Sequence, residues 1–174
     1  CGERCIMSNF YGQFIGFGAA EENLAPAGSH AAGNINSYQS GGYTGTDTIT
    51  MFTFASHGNT TDVGDLAVAH GYAAGHSSLT HGFTSCDYYP PTTVINRFAF
   101  PSASGATDWA DTNSAQYVCG GSSGTTNGYT WGGVSNDTIQ RFEYASTGTG
   151  TDVGNISTGN RRVQDCADSA LASY

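Results

Sequence analysis

Four histidines, His57, His70, His76 and His81, fall within one stretch of the chain. Imidazoles at such close quarters invite a metal ion. The same stretch recurs downstream with Ala103, Gln116, Ser122 and Asn127 at the matching positions. A ligand set present in only one copy argues for turn and surface roles, so no metal site is assigned. The acids, by contrast, recur. Asp62, Asp108 and Asp152 each follow a threonine, with Asp65 and Asp111 beside the first two and Asn155 beside the third. A catalytic carboxylate pair needs two unlike environments. An acid repeated in every copy serves every copy, so these are expected to accept backbone N–H bonds at turns. Calcium binding in those loops is the alternative, although the wording D-V-G-D supplies too few ligands for an EF-hand loop. The chain has no G-x-S-x-G elbow, H-E-x-x-H or P-loop, and it has no lysine to form a Schiff base. The sequence therefore assigns no catalytic residue and no cofactor. Flat rings stack on sugar faces, which makes Tyr88, Tyr89, Trp109, Tyr117 and Trp131 the candidate ligand-facing residues. Packing inside the fold is the competing role for each.

The elements that must hold these residues follow from an internal repeat. "TDTITMFTFAS" (46–56), "PTTVINRFAFPS" (91–102) and "NDTIQRFEYAS" (136–146) align. Ile49, Ile95 and Ile139 stand 46 and 44 residues apart. Phe52, Phe98 and Phe142 correspond, as do Phe54, Phe100 and Tyr144. Before each copy comes an aromatic or Gly-Gly stretch, "SYQSGGYTG", "HGFTSCDYYPP" or "NGYTWGGVS". After each comes "TDVGDL", "TDWADT" or "TDVGNI". Each unit reads as four strands. The first is small and polar, as in "YAAGHSSLT". The x-Gly dipeptides His81-Gly82 and Asn127-Gly128 are expected to make the tight turn that follows. The second strand is "FTS" or "YTW", ended by a Gly-Gly pair. The third carries I-x-x-F-x-F, and the fourth covers the D-V-G-D-L region. Gly41-Gly42 and Gly132-Gly133 are expected where the chain turns close to neighbouring backbone. Arg97 and Arg141 share a third-strand position and are expected to pair with acids across the sheet.

Composition agrees with an all-β fold. Only 11% of the 174 residues are charged, and 25 are glycine. That mixture lacks the Leu, Glu and Lys of helices and suits short strands joined by turns. Aromatics at 12% can supply a core, which argues against disorder. The net charge of −9, with no basic stripe, excludes a nucleic-acid partner. No apolar run is long enough for membrane insertion. The chain starts at Cys1 rather than Met and shows no signal peptide, so it is read as processed or as a piece of something longer. The cysteines Cys1, Cys5, Cys86, Cys119 and Cys166 form no C-x-x-C pair. Disulfides among them would fit an oxidising compartment, and the pairing is open.

A four-stranded sheet of this size cannot cover both of its faces alone, but stacked sister sheets can. Here the sequence resembles the kelch repeat. Gly41-Gly42, Gly132-Gly133, Tyr43, Tyr129 and Trp109 occupy kelch-like positions over residues 31–174. The match departs from the pattern where Val63 and Val153 replace the tryptophan and where Cys86-Asp87 replaces Gly-Gly. The resemblance implies a β-propeller of four-stranded antiparallel blades, each about 45 residues long. The units would be 31–70, 72–115 and 118–159, with a composite blade formed by 160–174 plus 6–30. That blade would pair 162–172 with 8–18, either within one chain or between neighbouring chains. A copper oxidase with Tyr and Cys ligands also uses the kelch-like fold, but its metal-binding residues do not match here position by position. The repeat wording is also similar to structural and tail proteins of marine bacteriophages. Together these likenesses imply a non-enzymatic structural or adhesive module of an extracellular or virion assembly. Its partners would be further copies, other assembly subunits or surface glycans. The alternatives are a carbohydrate-binding lectin-like propeller and an enzyme with its active site in the central channel.

Overall fold

A computed structural model describes residues 36–157, apart from Thr44, Tyr89 and Ser135. The described residues form strands and no helix, in three antiparallel sheets. The first sheet holds β1 (Asn36–Ser40), β2 (Thr46–Thr53) and β3 (Thr61–His70) in that order. The second holds β4 (Ala74–Ser77), β5 (His81–Ser85), β6 (Val94–Ala99) and β7 (Thr107–Asp111). The third holds β8 (Gly120–Ser123), β9 (Asn127–Trp131), β10 (Thr138–Glu143) and β11 (Thr151–Asn155). Every sheet runs in chain order as a meander. The second and third sheets fall within the expected units. The first shows strands two to four of its unit, and most of its expected first strand lies outside the described residues. Residues 160–174 and 6–30, expected to form a composite blade, lie outside the described residues too.

The three sheets share details that only repeated copies would share. Ile49 lies on β2, Ile95 on β6 and Ile139 on β10, each immediately before a register shift. At that shift the fourth-strand partner jumps from Gly64 to Asp62, from Ala110 to Asp108, and from Gly154 to Asp152. The residue skipped is Val63, Trp109 or Val153. One extra residue on a strand is a β-bulge, which bends and twists its sheet locally. The expected turn role of the recurring aspartates is thus corrected to a bulge role. Asp62 accepts the Gly64 N–H at 3.2 Å, and Asp152 accepts the Gly154 N–H at 3.0 Å. The carboxylates satisfy donors that the bulge removes from the ladder.

The x-Gly expectation is also corrected. Gly82 and Gly128 lie inside β5 and β9, opposite Phe98 and Phe142. The turns come earlier, closed by Ser78 N–H to His81 O and by Gly124 N–H to Asn127 O, both 2.8 Å. A Cβ at Gly82 would strike the ring of Phe98, and one at Gly128 the ring of Phe142. These glycines leave room for an aromatic ring that lies across the neighbouring strand. The Gly-Gly expectation fits the geometry. Gly41 has φ +71 and its Cβ would sit 2.6 Å from the His70 carbonyl oxygen. Gly133 has φ +102 and meets the Tyr117 carbonyl oxygen equally closely.

The sheets pack face to face in one sense. Ile49 and Leu66 of the first sheet bury against Phe98 of the second, with Tyr38 and Phe100 alongside. Phe83, Ile95 and Ala110 of the second bury against Phe142 of the third, with Trp109 and Tyr144 alongside. The isoleucine side of one sheet therefore meets the phenylalanine side of the next. Burying an aromatic or aliphatic side chain this way stabilises by about 1.5–3 kcal/mol. Side-chain amides lock the same contacts. Asn96 accepts the Val68 N–H at 3.1 Å and donates to the Val68 carbonyl at 3.0 Å. Gln140, its repeat equivalent, accepts the Ser114 N–H at 3.2 Å and donates to the Ser114 carbonyl at 3.0 Å. Both amides are buried. Asn96 satisfies backbone of β3, and Gln140 satisfies backbone of the loop after β7, where the Ser114 carbonyl also accepts from Thr112 Oγ1 at 3.0 Å.

Candidate functional site

The connections after second strands and after fourth strands meet on one side of the molecule, stitched by backbone bonds. Gly42 N–H donates to His70 O at 3.0 Å, and Tyr72 N–H to Gly42 O at 3.3 Å. Tyr88 N–H donates to Gly71 O at 3.0 Å, Asp87 N–H to Gln116 O at 3.2 Å, and Val134 N–H to Tyr117 O at 3.3 Å. Loops of all three sheets thus form a continuous surface.

Four tyrosines run across it. Ring centroids lie 5.2 Å apart for Tyr43 and Tyr72, 5.0 Å for Tyr72 and Tyr88, and 5.7 Å for Tyr88 and Tyr117. The rings meet at 59–65°, so each braces the next edge-on. Tyr43 is 78% exposed, Tyr88 47% and Tyr72 37%. Beneath them the buried Asp87 carboxylate accepts the N–H of Gly71 at 2.9 Å and of Tyr88 at 2.6 Å. One carboxylate thereby fixes the backbone next to two of the rings.

The loops are also braced covalently. Cys86 and Cys119 form a disulfide joining the second sheet's loop to the approach of β8. Cys86 stands where Gly41 and Gly132 stand in the other sheets, and like them it is left-handed, with φ +66 against +71 and +69. Tyr72 (φ +54) and its equivalent Val118 (φ +58) are left-handed as well. A bulky residue there costs about 1–2 kcal/mol and persists only where its surroundings hold it.

Two of the four histidines, His70 and His76, differ from the turn and surface roles expected of them. His57 is exposed and left-handed, and His81 opens β5. His70 and His76 are buried. The reason is a backbone acceptor for each ring. His70 Nδ1–H donates to the Cys86 carbonyl at 2.7 Å, leaving Nε2 buried without a partner. Burial holds this imidazole below its ordinary pKa, against the carbonyl bond and the charge of Asp87. His76 Nδ1–H donates to the Ser122 carbonyl at 3.0 Å, so its Nε2 accepts from Ser85 Oγ at 2.8 Å. A serine hydroxyl on an imidazole oriented by a third group has the form of a nucleophile and its base. Ser85 is completely buried, so no substrate reaches it, and the pair ties β4 and β5 to β8 instead. Desolvation and the charge of Arg97 lower the His81 pKa. Among the described residues no three of His, Cys, Asp or Glu gather closely enough to hold a metal ion.

Of the five expected ligand-facing aromatics, the structure brings Tyr88 and Tyr117 together. Tyr89 lies outside the described residues. Trp131 is half-buried within β9, opposite Ile139. Trp109 is the half-buried bulge residue of β7, with the Arg97 guanidinium carbon 3.3 Å from its ring centroid. Arg97 thus makes a cation–π contact rather than the expected acid pair. Tyr43 and Tyr72 complete the row and went unassigned in the sequence. Tyr43 follows Gly41-Gly42 as Tyr88 follows Cys86-Asp87, which was the available signal. No family model matches the chain, and no curated protein matches it.

Proposed function

We propose that the chain is a kelch-like β-propeller module with a structural and adhesive role in an extracellular or virion assembly. One observation carries this reading: among the described residues, the stack of three sheets leaves complementary faces at its two ends. Ile49 and Ile95 are completely buried, whereas Ile139 is half-buried and Val153 is 47% exposed. At the opposite end Phe98 and Phe142 are buried, whereas Phe52 is half-buried and Phe54 is 39% exposed. The third sheet offers an isoleucine side and the first a phenylalanine side, the two halves of a contact already made twice inside the chain. An interface that joins unlike faces builds rings or filaments of many copies. The disulfide agrees with an oxidising, extracellular location.

Light scattering after size exclusion tests the assembly. The full chain runs as a multiple of 18.0 kDa. Phe54→Asp and Ile139→Asp each dissociate it, because a charge buried at either face is unpaired. Mixing the two variants restores one good junction and yields a dimer that goes no further. A monomer at every concentration would overturn the reading.

A further inference from the structure

We propose that the row Tyr43–Tyr72–Tyr88–Tyr117 is a binding strip for an extended, neutral polysaccharide. The inference rests on the adhesive reading above and gives it a ligand class and a site. Four features point there. The row is continuous, with centroid steps of 5.0–5.7 Å from the β1–β2 loop to the connection between β7 and β8, which suits a linear polymer rather than a compact ligand. Each tyrosine joins an apolar ring face to a hydroxyl that donates and accepts, matching the C–H faces and hydroxyl rims of sugars.

The row is also rigid before any ligand arrives. The Asp87 carboxylate, the Cys86–Cys119 disulfide and left-handed Tyr72 hold the loops in place. A rigid aromatic platform loses little conformational entropy on binding. Finally, charge selects among polymers. The chain carries −9 net charge and no lysine. Among the described residues the arginines are Arg97 and Arg141, on β6 and β10, with Arg97 held on Trp109. With no cation on the row among the described residues, and with net negative charge on the chain, acidic glycans and nucleic acids are repelled rather than drawn in.

Native affinity electrophoresis tests this, using gels cast with hydroxyethylcellulose, galactomannan or starch, and with alginate as the anionic control. The full chain is retarded in at least one neutral gel and runs freely in alginate. Tyr43→Ala with Tyr88→Ala weakens the retardation at least tenfold, while Trp131→Phe leaves it unchanged. Circular dichroism of the double variant matches the parent, because both rings are exposed. Free migration in every neutral gel would overturn the proposal, as would retardation in alginate alone or retardation indifferent to the tyrosines. Light scattering on the double variant separates this from the assembly itself: its mass stays that of the parent. A fall in mass would mark the row as a contact between copies and equally overturn the proposal. A parent chain that assembles but migrates freely in every neutral gel refutes the ligand and leaves the structural role standing.

Discussion

At the scale of single residues, His70 is the group whose chemistry and burial conflict most. Its imidazole is buried, donates through Nδ1 to Cys86 and leaves Nε2 unpaired. Burial disfavours the imidazolium, so the folded chain binds that proton less readily than the unfolded chain, whose imidazole titrates near 6.5. His70 therefore adds stability above pH 6.5 that is lost as the pH falls towards the depressed folded value. The melting temperature should drop between about pH 7.5 and about pH 5.5, more steeply in the parent than in His70→Gln. Glutamine is the natural test because Gln116 occupies the equivalent position. Equal slopes would remove the argument. The glycines give a second residue-scale test. Gly82→Ala and Gly128→Ala force a methyl into an aromatic ring and should cost about 1–3 kcal/mol in urea unfolding. Gly75→Ala, with nothing within 4 Å of its Cβ, should cost no stability.

Between elements, the amide clamps carry the specific prediction. Asn96→Ala leaves the Val68 N–H and carbonyl without the amide, and Gln140→Ala strips the Ser114 N–H of its acceptor while the Ser114 carbonyl keeps the Thr112 Oγ1 donor. Each should cost about 1–3 kcal/mol, read as a lower denaturation midpoint with unchanged slope. Thr50 holds the equivalent place in the first unit, so Thr50→Ala should cost less. The strands themselves were legible: I-x-x-F spacing placed β2, β6 and β10, and the Gly-Gly pairs marked the close approach to neighbouring backbone. Asn96 and Gln140 were not legible as clamps, because their partners lie 28 and 26 residues away, on β3 and in the loop after β7. Nor were the recurring aspartates legible as bulge residues. A Thr-Asp-Val-Gly run fits a turn as well as a bulge until the partner strand is known.

For the whole molecule, the disulfide is the strongest single tie between sheets. Closing a loop with a sequence separation of 33 should add about 3–4 kcal/mol by restricting the unfolded chain. Cys119→Ser should lose that amount. Cys86→Gly should lose about 1 kcal/mol less than Cys86→Ala, because glycine accepts the left-handed φ of +66 without strain. Paired chemical denaturation curves decide between them, and equal losses would contradict the backbone argument. The two end faces of the described stack belong to this scale as well. Phe54 and Val153 look like ordinary surface residues within their own sheets. Only the stack shows that each is half of a contact made elsewhere.

The sequence by itself determined the all-β character, the period of the repeat and the place of each marker along its strand. Those depend on local propensity and on alternation between near neighbours, which a linear reading contains. Tertiary structure decided that isoleucine sides meet phenylalanine sides, that Gly82 and Gly128 make room for rings, that Cys86 pairs with Cys119, and that four tyrosines form a row. Each of these depends on which residues from distant parts of the chain come into van der Waals contact. That is set by how the sheets stack, and no short window of sequence encodes it.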